Sequence, residues 1–598
     1  MNNRIMEWIK KNKVNFLTQT VKSGYAVFVL FFVLCFCYIF WFARSTLFFQ
    51  EKQGLFIYSV EYLKDYLTKP GGLLKYAGNF FTQFYYTPLL GSIVLSATIS
   101  LTTVLCSKIS KRITTKVFIA IITIPAALLL LMQSHYYHFI EYNLGFLLVL
   151  FFFDWVILPK REVLKYVTLL LIPVFYYLAG SYLFYFLGMY IIHNLVFESK
   201  KFKFTLSFFA ILISFFAVIF FYKIIFLQPL QQFFLYPLPL INVKNHKILL
   251  LVLTIYLVFF PVIFKLNSWV KPQKSSALLS FLSVTGVFVV TILMLIHLHN
   301  SQTSRILNLE HLVSEKKYDE AIRFHEMYPS KNLIGQYLHN ISLSETDQLC
   351  ERLFYAEQDF NVNSLILPWS NEHLAWGAHF FYSVGLINEA HRWAYEEMIV
   401  YGIRPQNIEL LLKTNIIRGN YERAKKYNQI LYATLNYRNL AEEYKPVLED
   451  SLQIIKYPEL ISKRRMAPQN NFFIQINDPQ NNIPLLLQSN SKNKKAFEYE
   501  MAWLLLSKDV ETLVNNLKQM KELEYLTIPR HLEEAVLIYY NGTRKMPDLG
   551  GLSIRTETIN NFDRYVTAFK NARNGSVRTK QNLEKDFGNT FMYYFHFR

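Results

Sequence analysis

The sequence predicts an all-α protein in two parts: a polytopic bundle of about nine transmembrane helices, then a helical-repeat domain outside the cytoplasm. Three observations carry this. Hydrophobic residues make up 53% of the 598 and charged residues only 18%, against about 25% charge in an average soluble domain. The excess positive charge is confined to one half. Residues 1–300 hold 26 Lys+Arg and 8 Asp+Glu, whereas residues 301–598 hold 36 and 35. The basic half is also the apolar half, which fits basic cytoplasmic loops between membrane spans and argues against nucleic acid as a partner. Third, alanines 321, 356, 390 and 424 recur at intervals of 35, 34 and 34 residues, the period of a helical-hairpin repeat. Four cysteines in the whole chain exclude a disulfide scaffold and a multi-cysteine zinc module.

A bilayer core of about 30 Å needs roughly 20 apolar residues per helix. Nine candidates fall at about 24–43, 88–107, 117–133, 139–158, 163–179, 181–197, 204–226, 248–264 and 277–297, with Gly180-Ser181 as a tight turn between two of them. They define a basic N-terminus at 1–23 and a transmembrane domain at 24–298. The N-terminus and every second loop are basic, with 18 positive charges on one side and 8 on the other. The N-terminus is therefore expected in the cytoplasm. Nine crossings then put residues 299–598 outside, at a bacterial inner membrane facing the periplasm.

Two external loops are long, 44–87 and about 227–247. In the first, Phe56, Val60, Leu63 and Leu67 form an apolar stripe at helical spacing, with Glu61 and Asp65 opposite. This predicts an interfacial helix over about 53–68, ended by Pro70-Gly71-Gly72. The run Phe80, Phe81, Phe84, Tyr85, Tyr86 reads as an interfacial aromatic belt.

From residue 305 the pattern becomes amphipathic. Tyr318-Asp-Glu-Ala321 and Tyr421-Glu-Arg-Ala424 resemble the start of the second helix of a tetratricopeptide repeat, with Ile387-Asn-Glu-Ala390 and Leu353-Phe-Tyr-Ala356 as looser copies and Val510-Glu-Thr-Leu513 as a later one. The tryptophan–leucine–glycine signature of that family's first helix is absent. A tetratricopeptide-like domain is expected over 299–540, with 466–495 as a long loop. A C-terminal extension at 541–598 is expected to dock on the repeat or on the membrane face, because its aromatic end would be a liability if exposed.

No P-loop, dinucleotide fingerprint, nucleophile elbow or His-Glu-x-x-His occurs, which removes ATP-driven pumps and the familiar metallopeptidases. Few acids accompany the spans, and an ionisable group there is a functional candidate by default. Glu51, eight residues beyond the first span, has the chemistry of a general base toward a hydroxyl. The plainer reading is a solvated glutamate paired with Lys52 or Arg44. His135, His138 and Glu141 could together hold a divalent cation or a donor phosphate. Ordinary interfacial side chains are the plainer reading there too, since their spacing covers a wide arc of a helix. Glu61 and Asp65 are weaker site candidates and fit the wet face of the interfacial helix.

This layout resembles the GT-C superfamily of membrane glycosyltransferases. In that class the first external loop is long, carries surface helices and supplies a carboxylate soon after the first span. A second acid follows between spans 3 and 4, and the loop between spans 7 and 8 is also long. The resemblance implies a polyprenyl-phosphate-linked sugar donor, Glu51 as base, and His135 with Glu141 in the second position. The chain departs from that pattern in showing Glu where the family usually shows Asp-Glu or Asp-x-Asp. Pro70-Gly-Gly-Leu73 and Phe80-x-x-Gln83-x-x-Tyr86, with the repeat tail, also look like an uncharacterised bacterial family of polytopic membrane proteins. The other reading is a non-enzymatic anchor whose repeat groove holds a partner protein or peptide. A transporter is the third, and no buried charged pair within a span is expected.

Overall fold

The computed structural model describes residues 27–114, 119–225, 230–269, 276–572 and 577–598. The regular elements among them are all helical. The basic stretch 1–23 lies outside the described residues. The chain divides into two compact units, Met1–Asn300 and Ser301–Arg598.

Among the described residues of the first unit five segments are long and apolar enough to cross a membrane: Pro88–Ile113 (α5), Glu162–Phe197, Phe202–Lys223 (α11), Lys244–Leu266 (α13) and Phe281–Leu298 (α14), with the short helix Leu230–Leu235 (α12) between α11 and α13. A bent pair, Val27–Trp41 (α1) and Arg44–Lys52 (α2), meets at 74° and would make a sixth. Ile119–Met132 (α6) and Ile140–Val156 (α7) are shorter. The segment 162–197 is not one straight rod. It contains Glu162–Leu169 (α8), Ile172–Ala179 (α9) and Leu183–Phe197 (α10). Lys165 pairs with Glu198, although 33 residues of straight helix would hold them about 50 Å apart. Phe175 and Phe186 rings also touch, 5.9 Å between centroids. The chain therefore doubles back at Gly180. Along α5, Ser96, Ser100, Thr103 and Ser107 form a buried stripe of small residues, which lets α6 and α7 approach closely.

Between α2 and α5 the first long loop folds into Val60–Leu67 (α3) and Gly72–Thr82 (α4). The expected 53–68 helix is corrected at its start. It begins only at Val60, where Ser59 accepts from the Tyr62 amide. Tyr62 and Tyr66 on it pack on Tyr76, while Val60 is exposed.

Three loops meet at one point. Gly71 takes φ +80° and its amide donates to the Tyr177 carbonyl (2.8 Å). Gly180 takes φ +60°, and a Cβ there would stand 2.6 Å from the Tyr236 carbonyl oxygen and 3.2 Å from the Gly71 Cα. The Ser181 hydroxyl and amide both donate to the Tyr236 carbonyl. Only hydrogen fits at Gly180.

The second unit begins with helical hairpins. They are Ser301–Ser314 (α15) with Tyr318–Met327 (α16), Leu333–Glu345 (α17) with Leu349–Arg352 (α18), Leu374–Ser383 (α19) with Ile387–Tyr401 (α20), and Pro405–Ile417 (α21) with Tyr421–Tyr432 (α22). Arg438–Glu449 (α23), Pro458–Met466 (α24) and Asn482–Ser489 (α25) follow. A fifth hairpin pairs Lys494–Ser507 (α26) with Val510–Asn516 (α27). Arg530–Thr543 (α28), Thr556–Ala572 (α29), Val577–Phe587 (α30) and Phe591–Phe597 (α31) complete the chain.

All five hairpins share one turn. Lys316, Asp347, Gly385, Gly419 and Lys508 adopt φ between +57° and +81°. The next residue's amide donates to a carbonyl five back (Lys317 to Leu312, Gln348 to Leu343, Leu386 to Phe381, Asn420 to Asn415, Asp509 to Leu504) at 2.8–3.0 Å. This is the Schellman closure of a helix C-terminus. Five residues past the turn stand Ala321, Ala390 and Ala424, all fully buried, and Leu513. In the second hairpin that place belongs to Arg352, not to Ala356. Ala356 lies in extended backbone after a 3-10 turn, so the looser copy at 353–356 is corrected by four residues. Arg352 is bound to Glu326 (2.5 Å), and its helix ends after four residues.

The stretch 466–495 is not all loop, because α25 lies within it. The extension after 541 docks within its own unit. The Tyr594 hydroxyl donates to the Leu506 carbonyl (3.0 Å), and the Phe591 amide to Glu534 (2.7 Å).

Candidate functional site

In the first unit α2 is stitched to the 134–138 loop. Gln50 Nε2 donates to the Tyr136 carbonyl (2.9 Å) and the His138 carbonyl (3.0 Å), and Phe49 packs edge-on against Tyr136. The next residue, Glu51, is buried, with Lys52 Nζ 3.8 Å from its carboxylate. The solvated-glutamate reading is thereby overturned, although the Lys52 contact belongs to it.

His138 is fully buried and both ring nitrogens are engaged. Asn143 Nδ2 donates to Gln133 Oε1 (3.0 Å), which turns Asn143 Oδ1 toward His138 Nε2 (3.0 Å). Nε2 therefore carries the proton. Nδ1 accepts, and His246 Nε2 donates to it (3.0 Å). Burial first, and the His246 ring second, hold His138 well below the ordinary histidine range, at about 3. It is a neutral link and supplies no cation for a phosphate. His135 stacks on Tyr136, 4.9 Å between centroids.

Glu141 begins α7 and belongs to a different cluster. Its Oε1 lies 2.5 Å from Lys75 Nζ on α4. Its Oε2 is buried without a hydrogen-bond partner, as is the Tyr85 hydroxyl. Burial first, then the Glu141 charge, keep the Tyr85 phenol protonated. Gly78 makes room for Glu141: a Cβ there would stand 2.7 Å from the Glu141 Cβ and 2.9 Å from Oε2. Lys75 also lies over the Phe139 ring (4.9 Å). Beside it Asn79 Nδ2 donates to the Tyr62 and Tyr66 hydroxyls (2.9 and 2.7 Å).

The expected trio of His135, His138 and Glu141 is thus not one site. His138 has no lone pair left, and Glu141 answers to a lysine. Among the described residues no group of three or more His, Cys, Asp or Glu is placed to hold a metal ion. Glu61 and Asp65 are exposed on α3. At the other end of α7, buried Asp154 is clamped by Arg112 (2.7 Å) and Lys108 (3.0 Å). The expectation of no buried charged pair in a span is therefore corrected. Both pairs sit at the ends of α7, where cationic side chains reach from neighbouring helices.

Lys75, Gln50 and His246 stand in no sequence motif, and Tyr85, expected in an interfacial belt, is buried instead. Gln133 and Asn143, polar residues bordering apolar runs, were the available signal.

Residues 20–598 match a family described as a family of unknown function (DUF6057), and the chain belongs to it. No curated protein and no solved structure matches it.

Proposed function

We propose that this member of the DUF6057 family is a nine-pass protein of a bacterial inner membrane with a GT-C-like glycosyltransferase site on its outer side. The observation that carries this is the burial of Glu51 on α2, which is stitched to the 134–138 loop, and of Glu141 on α7 just after that loop; with Asp154 they are the three buried carboxylates among the described residues of the first unit. Burying a carboxylate costs several kcal/mol unless a partner or a task offsets it. One oxygen of Glu141 has no hydrogen-bond partner among the described residues.

In this reading the donor is a sugar on a polyprenyl phosphate. The acceptor hydroxyl attacks the anomeric carbon, the bond from that carbon to the phosphate oxygen breaks, and the electron pair leaves with the phosphate. Glu51 takes the hydroxyl proton. Lys75, positioned by Glu141, meets the growing charge on the leaving phosphate. The basic N-terminus lies in the cytoplasm, and the tetratricopeptide-like second unit stands outside and presents the acceptor. A pure scaffold fits less well, because it leaves the burial of Glu51 and Glu141 without a role.

The test is native mass spectrometry of the purified protein with polyprenyl phosphate, followed by a transfer assay on Glu51→Gln. Wild type and variant should both bind the lipid. Transfer should fall about 100-fold or more in the variant. Unchanged turnover removes the role of Glu51, and a folded protein that binds no polyprenyl phosphate removes the reading.

A further inference from the structure

A cleft of about 840 Å³ opens beside α24 in the second unit. Arg464, Arg465, Lys492 and Lys494 line it, and no carboxylate does. Elsewhere in this unit the fully buried lysines are matched, as is half-buried Arg530. Lys413 meets Glu409, Lys463 meets Glu345, Lys495 meets Asp347, and Arg530 meets Glu534. Residues 301–598 carry 36 basic and 35 acidic side chains, so a cleft lined by four cations and no carboxylate does not follow from the average charge.

The cleft is held in shape from behind. Arg464 Nε and Nη2 donate to the Ile417 and Ile416 carbonyls (3.0 and 2.9 Å). Asn490 is buried, and its Nδ2 donates to the Arg465 and Ala467 carbonyls (2.8 and 3.0 Å). Lys494 rests over the Tyr525 ring at 4.3 Å. Arg465 and Lys492 are exposed and enter no ion pair among the described residues. Arg465 and Lys492, exposed at an opening with no carboxylate in its lining and backed by the Arg464 and Lys494 charges, make a positive focus for anions. Guanidinium forks and lysine point charges together suit phosphate oxygens. No aromatic ring lines the cleft, so a nucleobase would find nothing to stack on.

We propose that this cleft binds a ligand carrying two or more phosphate groups. The proposal is independent of the transfer reaction. It is tested on the full chain in neutral detergent by titration calorimetry with inorganic pyrophosphate and with inorganic polyphosphate. Poly-glutamate serves as a carboxylate comparison. Binding of pyrophosphate marks a small diphosphate as the ligand, and binding of polyphosphate alone marks a chain. In either case Arg465→Gln/Lys492→Gln should lose affinity about tenfold or more at an unchanged melting temperature, and Lys426→Gln should bind as wild type. Three results overturn the proposal: neither phosphate binds, the double variant binds as wild type, or poly-glutamate binds as tightly as polyphosphate.

Discussion

Gly180 of the first unit and Gly419 of the second both have positive φ, +60° and +77°. A Cβ at Gly180 would meet a backbone carbonyl at 2.6 Å, whereas nothing lies within 4 Å of a Cβ at Gly419. In the first unit glycine lets three loops converge. In the second it serves only the local turn, and Lys316, Asp347 and Lys508 make the same turn with a side chain. Buried charge follows the same division. The first unit buries few acids, Glu51 on α2 and one at each end of α7, each held by its own cations. The second spreads them through networks such as Glu459, which meets Lys316 (2.6 Å), Lys413 (3.4 Å) and the Tyr382 hydroxyl (2.8 Å). Tertiary convergence governs one unit and local helical closure the other.

The sharpest way to break that contrast is Gly180→Ala. Left-handed strain and the clash together should cost about 4 kcal/mol, seen as loss of the monodisperse peak on size exclusion. A stable, well-behaved variant would show that the loops do not lock there.

The next effect belongs to the second unit. Burial pushes the Glu397 carboxyl up to about 7, and Arg404 at 3.4 Å only partly offsets it. Glu498 is likewise pushed up to about 7 by burial. Their folded pKa values lie above the unfolded value near 4.5. The native state therefore keeps protons that the unfolded chain has released. Stability should fall as pH rises from about 4.5 to 7 and then level off, by about 3 kcal/mol per group. Glu397→Gln should remove about half of that fall in melting temperature against pH. An unchanged profile would place the pH dependence elsewhere.

Gly419→Ala, with open space for its methyl, should cost only about 1 kcal/mol. A loss as large as that at Gly180 would erase the distinction between the units. Lys508→Gly should gain a few tenths of a kcal/mol, since relief of its φ outweighs loss of the Tyr594 ring contact. A measurable loss in melting temperature would mean that the lysine side chain supports the turn.

Legibility in the sequence followed the same line. Period and turn chemistry are local, so the hairpins at 318, 387, 421 and 510 could be read from short motifs, and Gly385 and Gly419 from their place before them. The second hairpin was misread because Arg352 stands at its alanine position and the nearest alanine lies four residues on. Helix α3 starts later than its apolar stripe suggests because Ser59 caps it at Val60. The candidate site was the least legible. Lys75 and Glu141 are 66 residues apart and His138 and His246 are 108 apart, and no spacing rule reaches that far. Their pairing depends on how the loops converge at Gly71 and Gly180, which is a property of the assembled bundle.

Three cations from late in the chain end three early helices. Lys495 donates to the Ser344 carbonyl at the end of α17, Lys463 to Ser383 (3.0 Å) at the end of α19, and Arg464 to Ile416 and Ile417 at the end of α21. Stacked hairpins ordinarily form an open-ended series, each storey touching only the next, so copies are gained or lost with little penalty. Here the storeys are numbered from outside. Inserting or deleting one hairpin between α17 and α21 would slide the carbonyl ends past their cations and leave buried charge facing the wrong floor. The array is thereby fixed in length, and it must finish folding together with a segment made 47 to 151 residues later.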